Sequence, residues 1–361
     1  MGRRTNTAKW LEKQKRWQIK VQKDGERRTF TSSTPGRSGQ REANSKADAW
    51  LDENIKGGNK RVQVYFEQWV ESLKLTTSKG NWKPVISRWK NHIEPKIGNK
   101  RIESIVEQDL QNIIDKAYSK GLSKKSLKSL MGDMRQFFKF CRKLNVTNFN
   151  PENLAIPAGA RNKEKSVLQP NDLVKLFNID TSLYRGKRVF DDHIYAYRFQ
   201  VITGLRPGEL IGLKWSDING DTVNIKRSIN RDNEVTKGKN ENAIRSFKLS
   251  VLAKDALESQ RSLHLPGEQV FPVGTEAGHL KRWVRYCEAN GLTKTTLYEM
   301  RHTFVSVVKR LPPGLIKPVI GHAQNMDTFG VYSHALNSDA DNTAKQINDI
   351  FTFLINSKSG L

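Results

Sequence analysis

Residues 297–335, LYEMRHTFVSVVKRLPPGLIKPVIGHAQNMDTFGVYSHA, set the tightest constraint on the fold, because one short and mostly helical stretch holds Arg301, His302, His322, Tyr332 and His334. A second stretch, TGLRPGEL at Thr203–Leu210, supplies Arg206 and Glu209. One guanidinium covers only part of a phosphate, and two forks are needed to neutralise the rest. If Arg206 and Arg301 form such a clamp, the chain must bring together two side chains 95 residues apart. The intervening segments therefore belong to one packed domain.

Charge gives the reason to look for a phosphate. The 361 residues carry 62 Lys and Arg against 37 Asp and Glu, a formal net charge of +25, with a pI near 10.0. Residues 1–60, 61–160 and 161–361 contribute +8, +9 and +8, so the excess is spread through the whole chain rather than confined to a tail. A polyanion is the partner such a balance suits. No apolar run approaches the roughly 20 residues of a membrane span, and MGRRTNTAKW lacks the apolar segment of a secretory signal. Cys141 and Cys287 are too few for a disulfide framework and read as reduced core thiols of a cytoplasmic protein. No HExxH-type spacing occurs, so the expected chemistry uses neither a metal nor a cofactor.

In chain order, residues 15–32 read as a small β unit. Trp17, Ile19 and Val21 alternate with polar residues, and Asp24-Gly25 is a hairpin turn. After the loop TSSTPGRSGQ, residues 41–53 read as a helix with Ala47, Trp50 and Leu51 inward. A three-stranded sheet with one helix suits a basic surface laid in a groove, or a structural cap on the next domain. Residues 55–60 form a linker.

Four helices follow. Val62, Phe66, Trp69, Val70 and Leu73 recur at helical spacing, as do Trp82, Ile86, Trp89 and Ile93 before Pro95 closes that segment. Residues 109–118 and 126–144 complete the set, the last burying Leu127, Leu130, Met134, Phe137, Phe138 and Phe140. These aromatics read as core rather than as a base-stacking platform. Lys79, Lys83, Arg88, Lys90, Lys124, Lys125 and Lys128 remain outside, as a solvated face or as phosphate contacts. Residues 148–165 read as a second linker. Beyond it come a helix over 168–177 capped by Asn171, a helix over 192–203, strands at 222–227 and 243–249 flanking a lysine-rich turn, and helices from Val251 onward.

Breaking a phosphodiester without metal needs fixed cations around phosphorus, an in-line nucleophile and an acid for the leaving 5′ oxygen. Arginine forks, a tyrosine hydroxyl and a lysine of depressed pKa can fill these roles. TGLRPGEL, the RHT of Arg301–Thr303, the Gly321-His322 pair and Tyr332 ten residues further on, taken together, resemble the tyrosine recombinases, the phage integrase family. The resemblance covers residues 61–361. Residues 1–57 resemble the arm-type DNA-binding domain of phage and conjugative-element integrases.

The resemblance implies a multidomain, mainly α fold with small β-sheets. It divides into an arm-type domain at 1–57, an all-α, SAM-like core-binding domain at 61–155 and an α+β catalytic domain at 165–361. It makes Arg206 and Arg301 the clamp and Tyr332 the nucleophile that forms a 3′-phosphotyrosyl bond. His322 would bond the phosphate or move the tyrosine proton, and Glu209 would steady the arginines. His302 and His334 are support residues.

Two positions depart from the pattern. Tyr298 stands where the family most often has histidine, and a phenol there would stabilise a phosphate rather than transfer a proton. The catalytic lysine falls on the turn TKGK, where Lys237 matches the run and Lys239 matches the count back from Arg245. The tail helix over 342–354, with Ile347, Ile350, Phe351 and Leu354 on one side, would pack on its own domain or dock on a neighbouring protomer. The expected protein is a recombinase acting as a tetramer on double-stranded DNA at core-type and arm-type sites. A directionality factor or a DNA-bending host protein would assist. A type IB topoisomerase or a non-cutting DNA-binding protein is the alternative.

Overall fold

The structure, a computed structural model, describes residues 6–23, 25–52, 61–236, 243–321 and 339–356. The chain divides into two units, Met1–Lys163 and Glu164–Leu361. Its buried apolar side chains gather into three separate clusters, two in the first unit and one in the second.

The first unit begins with an antiparallel sheet of β1 (Lys9–Leu11), β2 (Arg16–Lys23) and β3 (Glu26–Ser32), in the order β1-β2-β3. Lys23 pairs with Glu26 across the tight turn, as the Asp24-Gly25 signal implies, though Asp24 itself lies outside the described residues. Helix α1 (Gly36–Asp52) covers one face, so that Ile19, Val21, Ala43, Ala47, Trp50 and Leu51 form a small core. It starts five residues earlier than its apolar pattern predicts. Gly36 to Gln40 carry no large apolar residue to show the period, yet they are already wound.

The helical part comprises α2 (Val62–Thr76), α3 (Lys79–Arg88), α4 (Glu107–Ser119) and α5 (Lys124–Lys143). Phe66 stacks on Trp89 with ring centroids 3.8 Å apart, and Phe137 meets Trp89 edge-on at 5.0 Å. The aromatic stripe is thus core. Of the residues expected inward on α5, Phe140 is only partly buried and Cys141 takes the interior place. Pro95 does not end its helix. The backbone widens into a π-helix over Trp89–Gly98 and carries the proline through. A wider turn relieves the ring's clash with the carbonyl four residues back.

The expected linker 148–165 also needs correction, because much of it is strapped to this unit. Phe138 packs edge-on against Phe149, Leu154 and Ala160 enter the core, and the carbonyls of Phe149, Pro151, Glu152 and Arg161 all accept hydrogen bonds. Prolines and polar residues hide this from a periodicity reading, since the segment is held by its backbone rather than by a helical face.

The second unit opens with α6 (Pro170–Asn178). Its cap is Gln169, whose N–H donates to Asp172 at 2.8 Å, and Asn171, the expected cap, lies inside the first turn. A hairpin that the sequence reading missed follows, β4 (Thr181–Tyr184) and β5 (Lys187–Phe190). Next come α7 (Ile194–Thr203), α8 (Pro207–Ile211) and a sheet of β6 (Ile218–Asn219), β7 (Thr222–Ile225) and β10 (Arg245–Lys248) in the order β10-β7-β6. A small hairpin, β8 (Ser228–Ile229) with β9 (Val235–Thr236), lies between β7 and β10 in sequence. Helices α9 (Val251–Arg261), α10 (Glu276–Asn290), α11 (Leu297–Val307), α12 (Pro313–Ile320) and α13 (Asp339–Asn356) complete the unit. Helix α7 is buried along most of its length and packs on α9 and α11, which fixes where its C-terminal end delivers Arg206. Among the described residues no helix is long and apolar enough to cross a membrane.

In this single chain α13 packs on its own unit. Ile347 and Phe351 enter the core, Phe351 stacks on Phe304 at 6.3 Å, and Asn348 accepts from the Leu252 N–H.

Candidate active site

The stretch TGLRPGEL folds into a corner because each residue type serves a local need. Helix α7 stops at Gly204, whose φ of 64° is left-handed and whose Cα lies so near Phe304 that an added Cβ would sit 2.5 Å from the ring. Arg206 is extended, and Pro207 begins α8 where a missing N–H costs nothing. Gly208 lets the corner approach the next hairpin, since a Cβ there would meet the Ile229 carbonyl at 2.4 Å. Glu209 turns back, accepting from the Arg206 backbone N–H at 3.0 Å and from its guanidinium at 2.7 Å.

Helix α11 delivers the second arginine. Thr296 caps it by accepting from Glu299, and Glu299 accepts from the Thr296 N–H at 2.7 Å. Thr303 accepts from the Leu168 N–H at 3.0 Å, so the threonine of RHT fastens the segment that enters the unit. Arg301 is 2% exposed and donates to the Gly204 carbonyl at 2.9 Å. The TGLR corner and the RHT helix are therefore joined directly.

The end of α12 ties the cluster together. Three successive carbonyls there each accept from a different arginine: Val319 from Arg245 at 2.7 Å, Ile320 from Arg301 at 2.5 Å and Gly321 from Arg206 at 3.4 Å. A helix leaves its last carbonyls without partners in the helix and negatively polarised, and cations suit that place. Gly321 turns left-handed at φ 65° and hands the chain to His322. Both arginines of the expected clamp thus converge on the C-terminal end of α12, at Ile320 and Gly321.

Arg245 joins the cluster in a role that no local sequence pattern marks. Its guanidinium grips Glu209 through both oxygens, at 2.9 and 3.1 Å, and also bonds the Ala243 carbonyl. Burial works to raise the Glu209 carboxyl, but Arg245 and Arg206 outweigh it and hold it below the usual carboxylate range. Burial, with Arg206 beside it, pulls Arg301 down to about 10, against the pull of Glu209 and with further help from Arg245. The group stays charged at neutral pH. Three guanidinium groups near one carboxylate leave the cluster with a net positive charge.

Of the other expected site residues, Tyr298 stands 45% exposed in the first turn of α11, one turn before His302, with which it makes an edge contact at 5.3 Å. His302 is partly buried, and burial together with Lys165 lowers its pKa, which favours the neutral ring. Lys237, Lys239, His322, Tyr332 and His334 lie outside the described residues. In sequence, Thr236 and Ala243 flank the segment that holds both lysines, and Gly321 precedes His322. On the helical unit Lys79, Lys83, Lys90, Lys124, Lys125 and Lys128 are exposed. Arg88 differs, because both its Nε and Nη2 bond Asp133, so a phosphate contact there would have to compete with that pair.

The family models fit this arrangement. Residues 166–338 match the phage integrase family and residues 62–118 match the phage integrase N-terminal SAM-like domain. The chain belongs to the phage integrase family, the tyrosine recombinases. Among its relatives is a tyrosine recombinase XerC-like protein of Caldanaerobacter subterraneus subsp. tengcongensis, 22% identical, with 97% of this chain and all of that protein covered. Another is the ICEBs1 integrase of Bacillus subtilis, 23% identical over 75% of this chain and 77% of that one. Solved structures share the fold. The Tn1549 transposon integrase in complex with circular intermediate DNA superposes with a TM-score of 0.62 at 18% identity, over 78% of this chain and 98% of that one. A lambda integrase dimer bound to a COC′ core site gives 0.58 at 16% identity, over 100% and 99%. This integrase-family chain is thus an enzyme of DNA breakage and rejoining.

Proposed function

We propose that this tyrosine recombinase integrates and excises a mobile element, cutting DNA at specific sites through a 3′-phosphotyrosyl intermediate and resolving a Holliday junction. The observation that carries the reading is the meeting of Arg206 and Arg301, from segments 95 residues apart, on neighbouring carbonyls at the end of α12. In the proposed step the Tyr332 oxygen attacks phosphorus, the bond to the 5′ oxygen breaks, and that oxygen takes a proton from Lys237, with Lys239 as the alternative donor. Arg206 and Arg301 hold the non-bridging oxygens as negative charge grows. His322 bonds the same phosphate or receives the phenol proton, and Tyr298 donates a hydrogen bond. The phosphotyrosyl ester conserves the bond energy, so religation needs no ATP. Reversal of the step by the 5′ hydroxyl of a second duplex gives the recombinant strand.

The remaining assignments follow from the same reading. Residues 1–57 bind arm-type DNA, residues 61–155 grip the core site with the exposed lysines, and residues 165–361 cut. Four protomers hold two duplexes, with α13 leaving its own unit to dock on a neighbour, and a directionality factor or bending protein sets the outcome. Incubation with a nicked suicide duplex bearing the element's ends, followed by denaturing electrophoresis and mass mapping, tests the chemistry. A covalent adduct on Tyr332 that Tyr332→Phe abolishes is expected. An adduct on another residue, or none, overturns the assignment.

A further inference from the structure

The β4–β5 hairpin has no part in the phosphate site. Its apolar side chains Leu183, Tyr184, Val189 and Phe190 are 39–48% exposed, and none belongs to the core cluster. Yet the hairpin is fixed. Arg185 and Gly186, both at positive φ, close it in a tight turn, and Arg188 bonds Asn290 and the Ala289 carbonyl at the end of α10. Asn290 in turn donates to the Thr181 carbonyl, and Tyr286 to that of Ile179. A rigid element that exposes large apolar residues needs a reason other than its own folding.

Between the hairpin and α10 lies a groove of about 630 Å³, walled by Tyr184, Val189 and Val284 and edged by Lys281, Arg282, Arg285 and Glu288. Its charge is one-sided. Glu288 is bound by Lys294 at 2.8 Å, and Arg282 is held by Asp191 and Asp192. Lys281 and Arg285 form no ion pair within 4 Å among the described residues, Arg285 meeting Asp191 only at longer range, and the buried Nε atoms of Arg282 and Arg285 have no acceptor there. Arg185 and Arg285 both lie over the Tyr184 ring, at 5.3 and 5.4 Å, which gathers like charge at one exposed aromatic.

We propose that this groove docks an acidic peptide segment of a partner protein, one carrying a large apolar side chain beside its carboxylates. The carboxylates would bond Lys281 and Arg285, and the apolar side chain would lie between Tyr184 and Val189. DNA suits the place less well. Phosphates are bound by open basic surface and gain nothing from three apolar walls. The groove also stands at the start of α7, whose ten residues put about 15 Å of helix between it and the Arg206 corner.

The test pans a phage-displayed random dodecapeptide library against the full-length protein, with counter-selection on the Lys281→Glu/Arg285→Glu variant. Enriched peptides should be rich in Asp and Glu with at least one Trp, Phe or Leu. A synthetic copy, followed by fluorescence anisotropy, should bind about tenfold more weakly or worse to that variant and to Tyr184→Ser, while both variants cleave a suicide duplex as the parent does. Failure to enrich, enrichment of neutral or basic peptides, or equal binding to the charge-reversed variant overturns the proposal. A loss of affinity for an unrelated short duplex in Lys281→Glu/Arg285→Glu also overturns it, by assigning the groove to DNA.

Discussion

Glu209 is a carboxylate withdrawn from water and held by two guanidinium groups, so the removal of either should be felt well beyond the side chain itself. Arg245→Ala leaves a buried charge half paired and should lower the unfolding free energy by about 3–5 kcal/mol, read from urea midpoints. Arg245→Lys keeps the charge but not the fork, and should fold while cleaving a suicide duplex more slowly, with DNA affinity unchanged. Gly204→Ala forces a side chain into the left-handed region and against Phe304, and should cost about 2 kcal/mol or more in the same assay. The sequence shows half of this cluster. Arg206, Pro207 and Glu209 stand at the spacing of a helix start, so their contact is local and legible. Arg245 meets Glu209 from 36 positions away and Val319 from 74, and no local pattern records such a pairing.

Elements were legible where their burial is periodic. The four helices of residues 61–150 and the β7–β10 pair show on the page because one face of each is apolar. The β4–β5 hairpin does not, since LYRGKRVF exposes apolar residues on both sides of an Arg-Gly turn and mixes them with cations. At the junction of α7 and α10, His193 and His279 share a hydrogen bond between their Nδ1 atoms at 2.9 Å, beside Tyr197, Asp191, Asp192, Arg282 and Arg285. Burial pulls His193 down to about 4 and His279 to about 3. Both values lie below that of the unfolded chain, so the unfolded state binds more protons in this window. The pair's contribution is full above about pH 6.5 and is lost as pH falls from there towards 4 and 3. Urea midpoints should fall between about pH 7 and about pH 5, and less steeply in His279→Gln. In α13, Phe351→Ala should cost about 3–5 kcal/mol of catalytic-unit stability, measured by thermal unfolding. A loss well under 1 kcal/mol would mean that the helix spends little time on its own unit.

At the scale of the whole molecule, a charge of +25 spread over all three segments predicts DNA affinity governed by salt. If six to ten phosphates are contacted, affinity should drop about 10³–10⁵-fold between 50 and 200 mM salt, with a linear log–log slope. Sulfate, which has the charge and shape of the expected ligand, should raise the melting temperature of the parent more than that of Arg206→Gln. That difference follows from the end of α12. Three neighbouring peptide oxygens occupy the three arginines there without bringing any net negative charge of their own, so the protein can gather mutually repelling cations in one place and stay folded in solution. Of the three bonds, that of Arg206 is the longest, and an arriving phosphate would therefore displace it first, at little loss to the folded structure.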